Sequence, residues 1–135
     1  MEKHKLVTYL GLGLFAFIVI FGIVMFFSLK GDMSDINDLE IANIDFTTIE
    51  DGTYEGSYYF NNNEIGATLS VTVLNGEVTT IEIIEHLYGI GKDAELILDE
   101  VINDQSLQVD TIAGATSSSI LILKAIEEAL NRGVN

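Results

Sequence analysis

The sequence predicts an α+β protein: an antiparallel sheet packed against two helices, preceded by one N-terminal transmembrane helix. Three observations carry this. Residues 6–29 are apolar apart from Thr8, Tyr9 and Ser28 and contain no charge. Residues 53–85 alternate apolar and polar side chains with a two-residue period, interrupted by Asn- and Gly-containing turns. Beyond them, two stretches repeat apolar residues at helical spacing.

The apolar segment comes first. At about 1.5 Å per residue it spans a hydrocarbon core of roughly 30 Å with some tilt. Lys3, His4 and Lys5 precede it, whereas Lys30 is succeeded at once by Asp32, Asp35 and Asp38. The positive-inside rule therefore places residues 1–5 in the cytoplasm and exports the chain beyond the apolar segment. A cleaved signal peptide is the rival, but the apolar core outruns an ordinary h-region and no small-x-small cleavage site comes after it. The reading is an uncleaved anchor in the cell membrane. Residues 30–50 are acidic, with Met33, Ile36, Leu39 and Ile41 loosely spaced. They read as a short helix or a tether, which at about twenty residues would hold a domain roughly 25 Å away.

The folded domain is expected over residues 51–135. Tyr54, Gly56, Tyr58 and Phe60 share one face of a first strand, and residues 61–66 turn the chain. Ala67, Leu69, Val71 and Val73 form the buried row of a second strand, and Asn75-Gly76 has the residues of a type I′ hairpin. Residues 77–85 return as a third strand, completing a meander. Residues 86–92 connect it to a helix from about 93 to 103, where Ala94, Ile97, Leu98 and Val101 line one side. Residues 105–109 are expected to add a short strand. A last helix spans residues 117–132, with Ile122, Ile126, Ala129 and Leu130 toward the sheet, a Glu128–Arg132 pair, and Gly133 as its C-cap.

Composition narrows the function. A net charge of -15 repels nucleic acid and anionic lipid heads. There is no Cys, so no disulfide framework or thiolate metal site is available, and two distant histidines make no zinc site. Gly89-Ile90-Gly91-Lys92-Asp93-Ala94 satisfies the dinucleotide pattern G-x-G-x-x-A, with Asp110 further on. That fingerprint needs a parallel βαβ unit, and hairpins precede it here. Lys92 reads as a solvated residue at a helix start.

The informative stretch is Asp110-Thr111-Ile112-Ala113-Gly114-Ala115-Thr116-Ser117-Ser118-Ser119. It leads into the last helix, whose start offers unpaired N–H groups and the positive end of the macrodipole to an anion. Gly114 and Ala115 let a ligand approach the backbone, while Thr116, Ser117, Ser118 and Ser119 add hydroxyls. The same letters also describe an ordinary N-cap, in which Ser or Thr oxygens satisfy those N–H groups.

Gly114-Ala115-Thr116, preceded by Val109-Asp110 and followed by Ser118-Ser119 and an amphipathic helix, resembles the flavinylation motif of the FMN-binding domain. That domain occurs in flavoprotein subunits of the sodium-pumping NADH:quinone oxidoreductase and Rnf complexes, and in small membrane-anchored bacterial proteins. Asp51-Gly52-Thr53-Tyr54-Glu55-Gly56 is similar to the segment that introduces the family's sheet. The resemblance implies that a separate flavin transferase uses FAD to join FMN to Thr116 through a phosphoester. It also implies that a loop of His86, Gly89 and Gly91 lies against the flavin, with Tyr88 placed to stack on the ring. For His86 a strand-end histidine bonded to backbone is the alternative. Ala113 stands where Ser or Thr is usual.

FMN accepts one or two electrons, so the implied protein is a tethered extracytoplasmic electron carrier between a donor and an acceptor, without catalytic residues of its own. Two other readings stay open at this point. One is a non-covalent FMN-binding module or small reductase; the other is a flavin-free scaffold or adhesion domain.

Overall fold

A computed structural model describes residues 2–60, 62–88 and 91–134, with the backbone alone over residues 2–8 and 28–34. The chain divides into two compact units, Met1–Asp35 and Ile36–Asn135. The first belongs to helix α1, Glu2–Asn37. Within it, the 19 residues Tyr9–Phe27 have a mean hydropathy of 2.8 and none of them is buried. A helix apolar on every side and unburied has the character of a membrane span.

The second unit is built on three strands, β1 (Gly52–Phe60), β2 (Ile65–Leu74) and β3 (Glu77–Leu87), all antiparallel in the order β1-β2-β3. Asn75 and Gly76 turn the second hairpin with φ of 54° and 77°, the paired positive values of a type I′ turn. Alternation places Ala67, Leu69, Val71 and Val73 on the covered face, each with no exposure. Helix α3 (Thr116–Asn131) covers β1 and β2, and helix α2 (Ile97–Asp104) packs against β3. Close approach of α3 is possible because β1 carries Gly56 opposite Leu69. A Cβ there would overlap the backbone of Ala125 and Ala129 and stand 2.8 Å from the Ala129 methyl. The other sheet face is polar. Thr53 and Thr72 hydroxyls meet at 2.9 Å, and Tyr59 Oη bonds both Thr68 and the Glu85 carboxylate. Partial burial, and then the hydrogen bond to Glu85, raise the Tyr59 phenol above its usual pKa.

Four expectations need correction. First, the chain between the apolar segment and β1 is not a free tether over residues 36–50. Ile36 is fully buried with Ile120 and Leu121, and Leu39 and Ile41 pack beside them. The Ala42 amide donates to Glu127 (2.9 Å), and Gln108 Nε2 donates to the Ile41 carbonyl (3.1 Å). The loose spacing arose because, once α1 ends at Asn37, the strap tracks the surface of α3 without regular structure. It ends in a 3₁₀ turn, Phe46–Thr48, capped by Asp45. Hydrogen bonds from the Thr47 hydroxyl and amide hold the Asp45 carboxyl below its usual pKa.

Second, the helix expected from residue 93 is a 3₁₀ segment, Lys92–Leu96, followed by α2. Third, residues 105–109 form no strand. Gln105 accepts from the Val78 amide at 2.8 Å and donates to the Val78 carbonyl at 2.9 Å. One side chain thus occupies the edge groups that a fourth strand would have paired. Fourth, Gly133 is not a left-handed cap. A Cβ there would stand 2.5 Å from Tyr54 Cζ, so glycine makes room for the tyrosine, whose hydroxyl donates to the Glu50 carbonyl at 2.8 Å. The Glu128–Arg132 pair forms at 3.1 Å.

Candidate functional site

The chain from Asp110 to Ala115 reaches α3 without regular structure, and Gly114 takes φ +80°. That backbone conformation is what requires glycine, since a Cβ at Gly114 would meet nothing within 4 Å. Asp110, Ala113 and Gly114 are exposed. Ala115 is buried in the core at 6% exposure.

Ala115 is also the N-cap of α3, and no side chain caps it. The Ser/Thr capping reading therefore does not describe this helix. Ser119, fully buried, donates from Oγ to the Ala115 carbonyl (2.9 Å) and accepts from the Ile112 amide (3.1 Å), which ties the loop to the helix from inside. The Ser119 amide makes the first helical bond, to the Ala115 carbonyl. The amides of Thr116, Ser117 and Ser118 precede it, and the first turn holds no acid. These three N–H groups point their dipoles out of an uncapped end, the local field an anion needs.

The second part of the site comes from the end of β3. His86 lies inside the strand opposite Ala67, not in the connecting loop, because β3 runs to Leu87. Its side chain is 4% exposed, and Nδ1 lies 2.9 Å from Glu95 Oε1. Its partner is thus a carboxylate rather than backbone. Tyr88 leans on the imidazole at 4.8 Å between centroids and is 40% exposed. Gly89 and Ile90 fall outside the described residues.

Gly91 joins the two parts. It is buried, and a Cβ on it would overlap Ser118 Oγ and stand 2.7 Å from Ser118 Cβ. Gly91 therefore meets the first turn of α3, bringing together what the sequence separates by more than twenty-five residues. Lys92 is exposed at the start of the 3₁₀ segment. On the other side of the corner, Glu100, Asp104, Val109, Asp110, Thr111, Ile112 and Ala113 line a hollow of about 360 Å³. Three carboxylates make that hollow a poor place for a phosphate and leave the α3 end as the better one.

The wholly antiparallel sheet removes the dinucleotide reading of Gly89–Ala94, which requires parallel strands around a crossover. What stands instead is a small-residue corner at a helix start that no side chain caps among the described residues, a neighbouring hydroxyl run and a buried histidine beside an exposed tyrosine. A family model described as the FMN-binding domain matches residues 62–131. The chain belongs to the FMN-binding domain family. No curated protein and no solved structure matches the chain.

The match takes in β2, β3, α2, the corner and the whole of α3, and it leaves β1 and the strap outside. FMN is the cofactor of such a domain, which sets aside the flavin-free reading. The residues present fit its phosphate, because α3 lacks the capping oxygen that would otherwise fill the place. Two residues escaped the sequence reading. Glu95 carried a weak signal, an acid in a first helical turn, but nothing linked it to His86. Asn37, which accepts a hydrogen bond from Ser117 Oγ at 3.1 Å, lay in a segment read as tether.

Proposed function

We propose that this protein is a membrane-anchored extracytoplasmic electron carrier whose FMN is attached to Thr116 by a phosphoester. One observation carries the reading: Thr116 opens an uncapped helix, is exposed, and has no hydrogen bond to its hydroxyl among the described residues. The three first-turn amides receive the phosphate, Gly114 gives the backbone its turn, and Asp110 flanks the corner. Tyr88, backed by the His86 imidazole that Glu95 holds, supplies the surface for the ring. When bound, FMN supplies one- and two-electron chemistry, and the protein supplies placement and field.

Attachment takes the course of the family's transferase reaction. The Thr116 hydroxyl oxygen bonds to the FMN phosphorus of FAD, the phosphoanhydride bond breaks, AMP leaves with the bridging oxygen, and the hydroxyl proton is lost. Residues 1–5 lie in the cytoplasm by the distribution of Lys residues, Tyr9–Phe27 crosses the membrane, and the domain meets a redox donor and an acceptor outside.

The test is the intact mass of the natively expressed protein after denaturation. The expected result is an added FMN phosphoryl group that falls to at most a trace in Thr116→Ala. A wild-type chain of unmodified mass that still copurifies with flavin would move the reading to non-covalent binding.

A further inference from the structure

Thr116 to Ser119 present four consecutive hydroxyls, and the structure treats each differently. Ser119 Oγ is buried and bonded to the Ala115 carbonyl and the Ile112 amide. Ser118 is half-buried, its Oγ against Gly91. Ser117 Oγ donates to Asn37 Oδ1 at 3.1 Å. Thr116 alone is both exposed and without a hydrogen bond to its hydroxyl among the described residues.

We propose that Asn37 is a positioning residue that decides which hydroxyl takes the phosphoryl group, by engaging Ser117 and leaving Thr116 free. This rests on the phosphoester reading above. Phosphoryl transfer needs a hydroxyl that can surrender its proton as its oxygen bonds to phosphorus. A hydroxyl already donating to an amide oxygen must first give up that bond. If the Asn37 amide is turned over, its Nδ2 donates to one of the two lone pairs of Ser117 Oγ instead, so the hydroxyl is engaged in either orientation.

Asn37 holds its place because its neighbours are fixed. Ile36 is fully buried with Ile120 and Leu121, one turn further along α3, and the Leu39 amide bonds back to the Ile36 carbonyl at 3.1 Å. The strap lies outside residues 62–131, the stretch that matches the family.

The experiment expresses the full chain with a flavin transferase and FAD and maps the adduct in the tryptic peptide spanning residues 93–124. Wild type carries it on Thr116, and Thr116→Ala carries at most a trace, on Ser117. Asn37→Ala/Thr116→Ala carries roughly two- to twelvefold more on Ser117, while Asn37→Asp/Thr116→Ala, which keeps an acceptor, stays at the Thr116→Ala level. In Asn37→Ala alone, loss of one hydrogen bond raises Ser117 labelling roughly two- to twelvefold, with full labelling of the Thr116 peptide region reporting that the variant has folded. Ser117 labelling in Thr116→Ala as high as in Asn37→Ala/Thr116→Ala overturns the proposal. So does an unlabelled Asn37→Ala/Thr116→Ala chain when Asn37→Ala itself is labelled. A wild-type chain without any adduct overturns the phosphoester reading itself and this inference with it.

Discussion

Replacing Gly91 by Ala tests whether the His86–Gly91 segment rests on α3. The added methyl would overlap Ser118 Oγ and lie 2.7 Å from Ser118 Cβ. The hydroxyl can swing aside, because Ser118 is only half-buried. The Cβ cannot, so either the loop or the first helical turn must shift. Overpacking of this kind costs about 1–3 kcal/mol. Ser118→Gly alone removes the obstacle at a helix-propensity cost of about 0.5 kcal/mol. In the double variant Gly91→Ala/Ser118→Gly the methyl finds room, so the pair should cost little more than Ser118→Gly alone. The assay is urea unfolding of the full chain in detergent, with the midpoint compared at constant slope. A favourable coupling of about 1–2 kcal/mol is expected, within the range measured for residues in contact. Flavin content of the native protein should keep the same order, falling in Gly91→Ala and recovering in the double variant. Costs that simply add within about 0.5 kcal/mol would refute contact between the loop and the helix, and with it the two-part site.

Two further outcomes are expected from the fold. Ile36→Ala empties a fully buried position between the strap and α3 and should destabilise the domain by about 2–4 kcal/mol; an unchanged urea midpoint would mean that the strap does not pack. The Tyr59 phenol has a raised pKa in the folded state, so the stability it confers is present in full below the unfolded pKa and is lost as pH rises from about 10 through the folded value. Tyr59→Phe should flatten that alkaline loss and leave the Glu85 carboxylate without its donor; urea midpoints between pH 8 and 11 check it, and an equal alkaline slope in both proteins would count against the assignment.

The features legible in the sequence had a local cause. Strand β2 is visible because its alternation comes from one covered face, and Asn75-Gly76 is visible because few residue pairs accept two positive φ values. The corner was legible for the same reason: Gly114 marks a left-handed backbone, and small residues mark an approach. The hidden features are non-local. The Gln105 amide imitates a strand at Val78, twenty-seven positions away, and no window of sequence reports that. Asn37 and Ser117 are eighty positions apart, and their meeting depends on where Ile36 packs. Gly133 looked like a cap because it comes after a helix, while its absent side chain serves Tyr54 from β1. His86 was found through the resemblance, but its carboxylate partner required the fold.

The electrostatics bear on why an ester suits this domain. The chain carries -15 at pH 7 and binds an anionic cofactor. Lys124 of α3 and Arg132 at its C-cap are already committed, to Glu127 at 2.8 Å and to Glu128 at 3.1 Å, and Glu100, Asp104 and Asp110 line the neighbouring hollow. An uncapped helix end favours a nearby anion by about 0.3–1 kcal/mol when exposed, no more than about fivefold in affinity. Repulsion from the surrounding carboxylates acts over about 8 Å at physiological salt and opposes it. Dipoles alone would therefore orient a phosphate here without retaining it. In the proposed arrangement a covalent bond at Thr116 takes over retention, and the amides of the first turn are left with the smaller task of fixing the direction in which the flavin leaves the helix.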